Sequence, residues 1–155
     1  MNTNEKKMRK EASLSIIEDT VNHKFLMIRH HRGINEGCMN FPGGKKEPNE
    51  TMDECVVRET LEETGLTILN PVKVGYVEFP RFDFYVHIYK STEFAGSIIE
   101  NKDEVSAFWV SESEIPYDEM READRNFLPD ILAGKYVKRR YNYDDNFKLL
   151  GVEEL

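Results

Sequence analysis

Cysteine is scarce in this chain, long apolar runs are missing, and basic residues are too few to balance the acidic ones. Two cysteines, Cys38 and Cys55, cannot supply a four-ligand zinc site or a disulfide framework, so reduced thiols and a cytosolic compartment are expected. No apolar stretch approaches the roughly 18 residues of a membrane span. The N-terminal MNTNEKKMRKEA has no apolar segment of the kind a secretory leader needs. A soluble, cytoplasmic protein without a membrane partner is therefore expected. With 21 basic against 29 acidic residues the net charge is -8, which argues against a nucleic-acid polymer as partner, because phosphate-driven binding needs a dense basic surface. An acidic chain that handles phosphates needs a cation between the two. Repeats and low-complexity segments are absent as well. At 155 residues the length fits one domain, taken as 11–155 after a flexible stretch at 1–10.

The β-rich segments 12–17 and 24–29 are separated by the turn formers of 18–23 and predict a hairpin. Residues 29–37 form a basic, glycine-containing loop in which Arg29, His30, His31 and Arg32 make a positive island suited to phosphate contact. Residues 38–41 read as a short strand entering Pro42-Gly43-Gly44. Two adjacent glycines let the backbone turn and approach a ligand or metal closely. Segments 72–79 and 82–89 predict an antiparallel pair around Pro80-Arg81, and 106–110 a further short strand. A second helix is predicted over 119–132, with Phe127, Leu128, Ile131 and Leu132 on its apolar face. Strands that outnumber and enclose the helices suggest an α+β sandwich.

Between the glycines and Gly65 lies the chemistry. Thr51 followed by Glu54 is a capping-box signature and Gly65 a stop signal, which together predict a helix from Met52 to Thr64. Glu59, Glu62 and Glu63 stand at i, i+3 and i+4 on it. Like charges so placed cost roughly 0.2–0.5 kcal/mol per pair, and the natural compensation is a divalent cation with oxygen ligands, above all magnesium. Met52, Cys55 and Val56 precede the glutamates on the same side, so the stripe is apolar in its first half and acidic in its second. Val57 and Leu61 occupy the opposite side and predict a second covered face.

Gly44, five residues, Glu50, seven residues, Arg58-Glu59, two residues, Glu62-Glu63, one residue, Gly65-Leu66: this spacing resembles the Nudix box, with Thr60 where that family prefers a bulky aliphatic residue. The resemblance implies an α/β/α sandwich with a mixed sheet between helices. It also implies magnesium-dependent hydrolysis, with manganese as a substitute, of a nucleoside diphosphate linked to another group. Carried onto matching positions, Glu59, Glu62, Glu63 and the Gly44 backbone are metal ligands, Arg58 orients a carboxylate through its planar fork, and Glu50 supports the loop. Glu104, in the acidic loop before Trp109, matches a further position for metal binding or water activation.

Beyond the box, 115–129 with the following Gly134-Lys135 and Tyr143-Asp-Asp145 resembles the Nudix enzymes that hydrolyse oxidised purine nucleoside triphosphates. In that subgroup an Asn and an Asp read the purine, and the matching residues here are Asn40 and Asp124. Arg32, Gly43 and Gly44 complete the expected substrate contacts. Arg121 departs from the pattern, standing where relatives often carry a base-stacking aromatic, and Phe79 and Phe82 are candidate walls of a base pocket. The implied activity is release of a nucleoside monophosphate and pyrophosphate from a triphosphate such as 8-oxo-dGTP, by a monomer or homodimer. Two alternatives stand beside it. One is a pyrophosphatase of ADP-ribose or another nucleotide sugar, and the other a nucleotide-binding module without turnover.

Overall fold

In the computed structural model the described residues are 9–33, 36–99 and 105–155. The expected flexible stretch 1–10 falls mostly outside them, and Glu104 does so entirely. Eleven strands and two helices occur among the described residues. In order they are β1 Lys10–Asp19, β2 Lys24–His30, β3 Met39–Asn40, β4 Gly43–Lys45, α1 Met52–Thr64, β5 Leu66–Leu69, β6 Val72–Phe79, β7 Phe84–Ser91, β8 Glu93–Gly96, β9 Val105–Ser111, α2 Glu122–Leu132, β10 Val137–Tyr143 and β11 Leu149–Glu154.

The main sheet runs β11-β10-β6-β7-β1-β2-β3, with β4 also paired to β1 and β9 to β2; β5 and β8 form a separate pair. The sheet is mixed, because β1 pairs with β7 and β10 with β6 in parallel while the other ladders are antiparallel. Long connections make those parallel pairings possible. Apolar residues separate into two clusters. One gathers Leu14, Ile16, Phe41, Val77 and Ile88 with Phe127, Leu128 and Ile131 of α2. The other gathers Ile17, Leu26, Ile28 and Tyr89 with Val56 of α1. Each helix covers its own cluster, which is the sandwich that the sequence suggested.

Helix α1 has the predicted bounds. Thr51 Oγ1 accepts from the Glu54 amide at 3.1 Å while Glu54 accepts from the Thr51 amide at 2.8 Å, and Gly65 closes the helix at φ 87°. That left-handed conformation suits glycine because it has no Cβ. Cys55, Val56 and Thr60 are fully buried, and Val57 packs partly against the second cluster. Leu61, expected on a covered face, is 47% exposed, so the cover stops before the third turn. Thr60 fits the space of an aliphatic residue but leaves its hydroxyl without a hydrogen bond.

Helix α2 starts three residues later than expected. A 3-10 turn at Tyr117–Glu119 precedes it, and Met120 then runs extended at ψ 161° and buries its side chain. Core packing at Met120 thus overrides the helical pattern of 119–121. Arg121 becomes the N-cap, and Asp124 falls in the first turn.

Candidate active site

Gly43 and Gly44 are in β4, which pairs antiparallel with β1, Gly44 opposite Ser13 and Gly43 opposite Leu14. A Cβ on Gly43 would overlap the Ser13 carbonyl, and one on Gly44 would overlap the Glu59 carboxylate. The pair thus brings the main chain closer to β1 and α1 than any other residue type permits. Cys55 clips α1 to this strand, its Sγ lying 3.5 Å from the Gly44 carbonyl and 3.6 Å from Ser13 Oγ. Burial pushes the Cys55 thiol up to about 11, so it is a packing residue and no nucleophile.

Arg58 is the electrostatic hub. Its Nε and Nη2 donate to the two oxygens of Glu50 at 2.9 and 2.7 Å, Nη1 donates to Glu59 at 2.9 Å and to Glu62 at 3.2 Å, and Nη2 reaches the Lys45 carbonyl at 3.1 Å. The fork matches a carboxylate edge with two parallel bonds. It holds Glu50 down at about 2 and keeps the guanidinium itself raised, first through Glu50 and then Glu59. Glu50 also accepts from the Glu47 amide at 2.8 Å, which fixes the loop that enters α1. Burial raises Glu59, with Arg58 opposing that shift.

The three glutamates lie along one face, but their carboxylates are directed differently. Glu59 and Glu62 face Arg58, while Glu63 Oε1 accepts from the Gly43 amide at 2.7 Å. Among the described residues no three His, Cys, Asp or Glu side chains meet closely enough to hold an ion. Glu59 and Glu62 are turned to Arg58 and Glu63 to the Gly43 amide, instead of all three to one point. The donor set is all oxygen and suits a hard divalent cation.

On the other side of the glycines opens a cleft of about 600 Å³ lined by both of them. Asn40, Asp124 and Arg121 also line it, and Phe79, Phe82, Phe84 and Phe127 give it aromatic walls. Asn40 Oδ1 accepts from the Phe41 amide at 2.7 Å, which leaves its NH2 group to donate into the cleft. Burial pushes Asp124 up to about 7, against the opposing charge of Arg121. Burial likewise lowers His30, assisted by Arg121 and His31. Lys10 and Lys45 add positive charge to the lining, and Asp124 is the acidic residue among the lining residues described.

Most of the predicted set is thus brought to one place, Asn40, Gly43, Gly44 and Asp124 at the cleft and Arg58, Glu59, Glu62 and Glu63 behind the glycines. Arg32 is not. It is exposed and outside the cleft lining, because β2 ends at His30 and the loop carries Arg32 outward. Arg29 of the same island is structural, bonded to the Gly37 carbonyl at 3.1 Å and Glu119 at 3.1 Å. The sequence reading missed Tyr143 and Phe147 as lining residues. Their signal was the turn cluster Asp144-Asp-Asn146 between two β-rich segments.

The family model described as NUDIX domain matches residues 8–131. This chain belongs to the Nudix family. A zebrafish (Danio rerio) protein named oxidized purine nucleoside triphosphate hydrolase is 32% identical over 116 residues, 72% of this chain and 74% of that one. The crystal structure of a mutator MutT protein from Bacillus halodurans superimposes with a TM-score of 0.78 at 23% identity, covering 93% of this chain and 96% of that one. An ADP-ribose pyrophosphatase of Methanocaldococcus jannaschii is 48% identical over 44 residues, only 28% of this chain and 26% of the relative. The Nudix fold therefore extends over nearly the whole chain, with the box on α1. No helix among the described residues is long and apolar enough to cross a membrane.

Proposed function

We propose that this Nudix protein is a magnesium-dependent pyrophosphohydrolase that converts a purine nucleoside triphosphate to the monophosphate and pyrophosphate, with 8-oxo-dGTP as the candidate substrate. The observation that carries the reading is the double placement of Gly43 and Gly44, which line the cleft on one side and contact Glu63 and Glu59 on the other. A nucleoside in the cleft sends its phosphates across glycines that leave room for them. Asn40 donates to an acceptor on the base edge, and Asp124, neutral on the acid side of about 7, offers both a donor and an acceptor. The basic lining residues attract the anion.

Glu59, Glu62 and Glu63, with Glu104 and the Gly44 carbonyl, are the groups that would hold the metal. When bound, a divalent cation neutralises phosphate oxygens and makes water more acidic. The chain's own part is to position the acidic face against the anhydride, through Arg58 and the glycine strand, and to accept the proton of the attacking water on a glutamate. Such an enzyme acts on free nucleotides in the cytoplasm.

A substrate panel tests this reading. With added magnesium, 8-oxo-dGTP should give the highest kcat/KM among 8-oxo-dGTP, dGTP, ADP-ribose and dinucleoside polyphosphates, with pyrophosphate as product. Turnover confined to ADP-ribose would favour the nucleotide-sugar reading, which rests on the short archaeal match. No turnover of any member would leave a binding module.

A further inference from the structure

Phe147 occupies an unusual position for a phenylalanine. It sits in the turn between β10 and β11 at φ 62°, a left-handed conformation that glycine or asparagine adopts with less strain. The turn itself is held by Asp144, whose Oδ1 accepts from the amides of Asn146 and Lys148 at 2.8 and 2.9 Å. Nor does burial account for the ring, which is 72% exposed. It lies instead against the cleft, nearly parallel to Phe82 with centroids 5.4 Å apart and planes at 10°. Phe82 in turn rests on Tyr143, centroids 5.5 Å apart. An ion pair between Arg81 and Asp145 at 2.5 Å joins the two loops that carry the rings.

We propose that the Phe82–Phe147 pair is a two-loop aromatic jaw that packs on the face of the bound base, and that Phe147 selects the larger bicyclic bases over pyrimidines. Stacking grows with the area of overlapping π-surface, so a two-ring base gains more from an aromatic contact than a one-ring base does. The edge of the base is left to Asn40 and Asp124. Residues 137–154 lie beyond the segment matched by the family model, so the Phe147 half of this wall is supplied by a part of the chain that the box does not determine. The proposal rests on the nucleotide reading above, but it concerns the base and needs neither metal nor phosphate transfer.

Calorimetric binding of dGMP and dCMP without added metal, together with kinetics on dGTP and dCTP, separates the possibilities. Phe147→Gly removes the ring while relieving the backbone, so the melting temperature should hold. It should weaken dGMP binding about tenfold and raise KM for dGTP to a similar degree, with the loss on KM and not kcat. Binding of dCMP, which has one ring to overlap instead of two, should weaken by a clearly smaller factor. Phe147→Trp should restore purine binding. Unchanged dGMP affinity in Phe147→Gly, an equal loss for both bases, or no rescue by Phe147→Trp would overturn the jaw alone. If the unaltered protein neither binds dGMP nor hydrolyses any triphosphate, the nucleotide reading falls and the jaw with it.

Discussion

Arg58 grips Glu50 edge to edge, with bonds of 2.9 and 2.7 Å to its two carboxylate oxygens, and so ties the second turn of α1 to the loop that feeds it. The other carboxylates of the site are arranged around that grip.

The Arg58–Glu50 pair makes stability pH-dependent on the acid side. Glu50 is depressed from 4.5 to about 2, so its contribution is complete above pH 4.5 and is lost as pH falls through about 2. Glu50→Gln should flatten the stability curve in that window, as read by urea unfolding at a series of pH values. Arg58→Lys keeps the charge but loses the fork, and should cost about 1–3 kcal/mol at neutral pH.

Glu62→Gln and Glu63→Gln should each lower kcat by roughly 100-fold or more while circular dichroism stays native, because neither side chain is part of an apolar cluster. Hydrolysis should stop on chelation with EDTA and return with added magnesium. Near-normal turnover in both variants would refute the acidic face as the metal site.

The two glycines should fail in different ways. In Gly44→Ala the new methyl meets the end of the Glu59 side chain, which can swing away, so activity should fall with little change in melting temperature. In Gly43→Ala it meets the Ser13 main-chain carbonyl, which is fixed in the sheet. That variant should lose about 1–3 kcal/mol of stability, measured by thermal unfolding beside the activity assay.

Asp124 should impose a pH dependence of the opposite sign. Its carboxyl is raised from 3.8 to about 7. Below pH 3.8 both folded and unfolded forms are protonated, between 3.8 and about 7 only the unfolded chain ionises, and stability is progressively lost over that interval. Asp124→Asn should therefore gain stability relative to the original protein as pH rises from 4 to 8, on the order of 3–4 kcal/mol. The kcat/KM profile for a purine triphosphate should carry an ionisation near 7 that disappears in Asp124→Asn.

Helix α1 was legible because everything that defines it is local. Thr51, Glu54 and Gly65 cap it within one stretch of chain, and a helical period of about 3.6 residues places Glu59, Glu62 and Glu63 on one side without reference to the rest of the molecule. The β1–β2 hairpin and the β6–β7 pair were readable for the same reason, since short turns join their strands. The family spacing then pointed to Asn40 and Asp124 at the cleft.

Glu59 and Glu62 meet Arg58 within the helix itself, whereas the placement of Glu63, Asp124 and Phe147 was settled by contacts distant in sequence. Parallel pairing of β1 with β7 and of β6 with β10 brings Asp124 and Phe147 to the mouth that Gly43 and Gly44 line, and no local pattern encodes that approach. Glu63 turns to the Gly43 amide, twenty residues away, and Arg32 swings out where β2 ends. Desolvation of Asp124 depends on every element packed around it, so its proton affinity is a property of the fold. The sequence by itself determined which residues carry charge and which helix face bears them. Tertiary structure decided which carboxylate meets an amide twenty residues away and which lines the cleft, because those choices depend on distances between segments that the chain brings together only on folding.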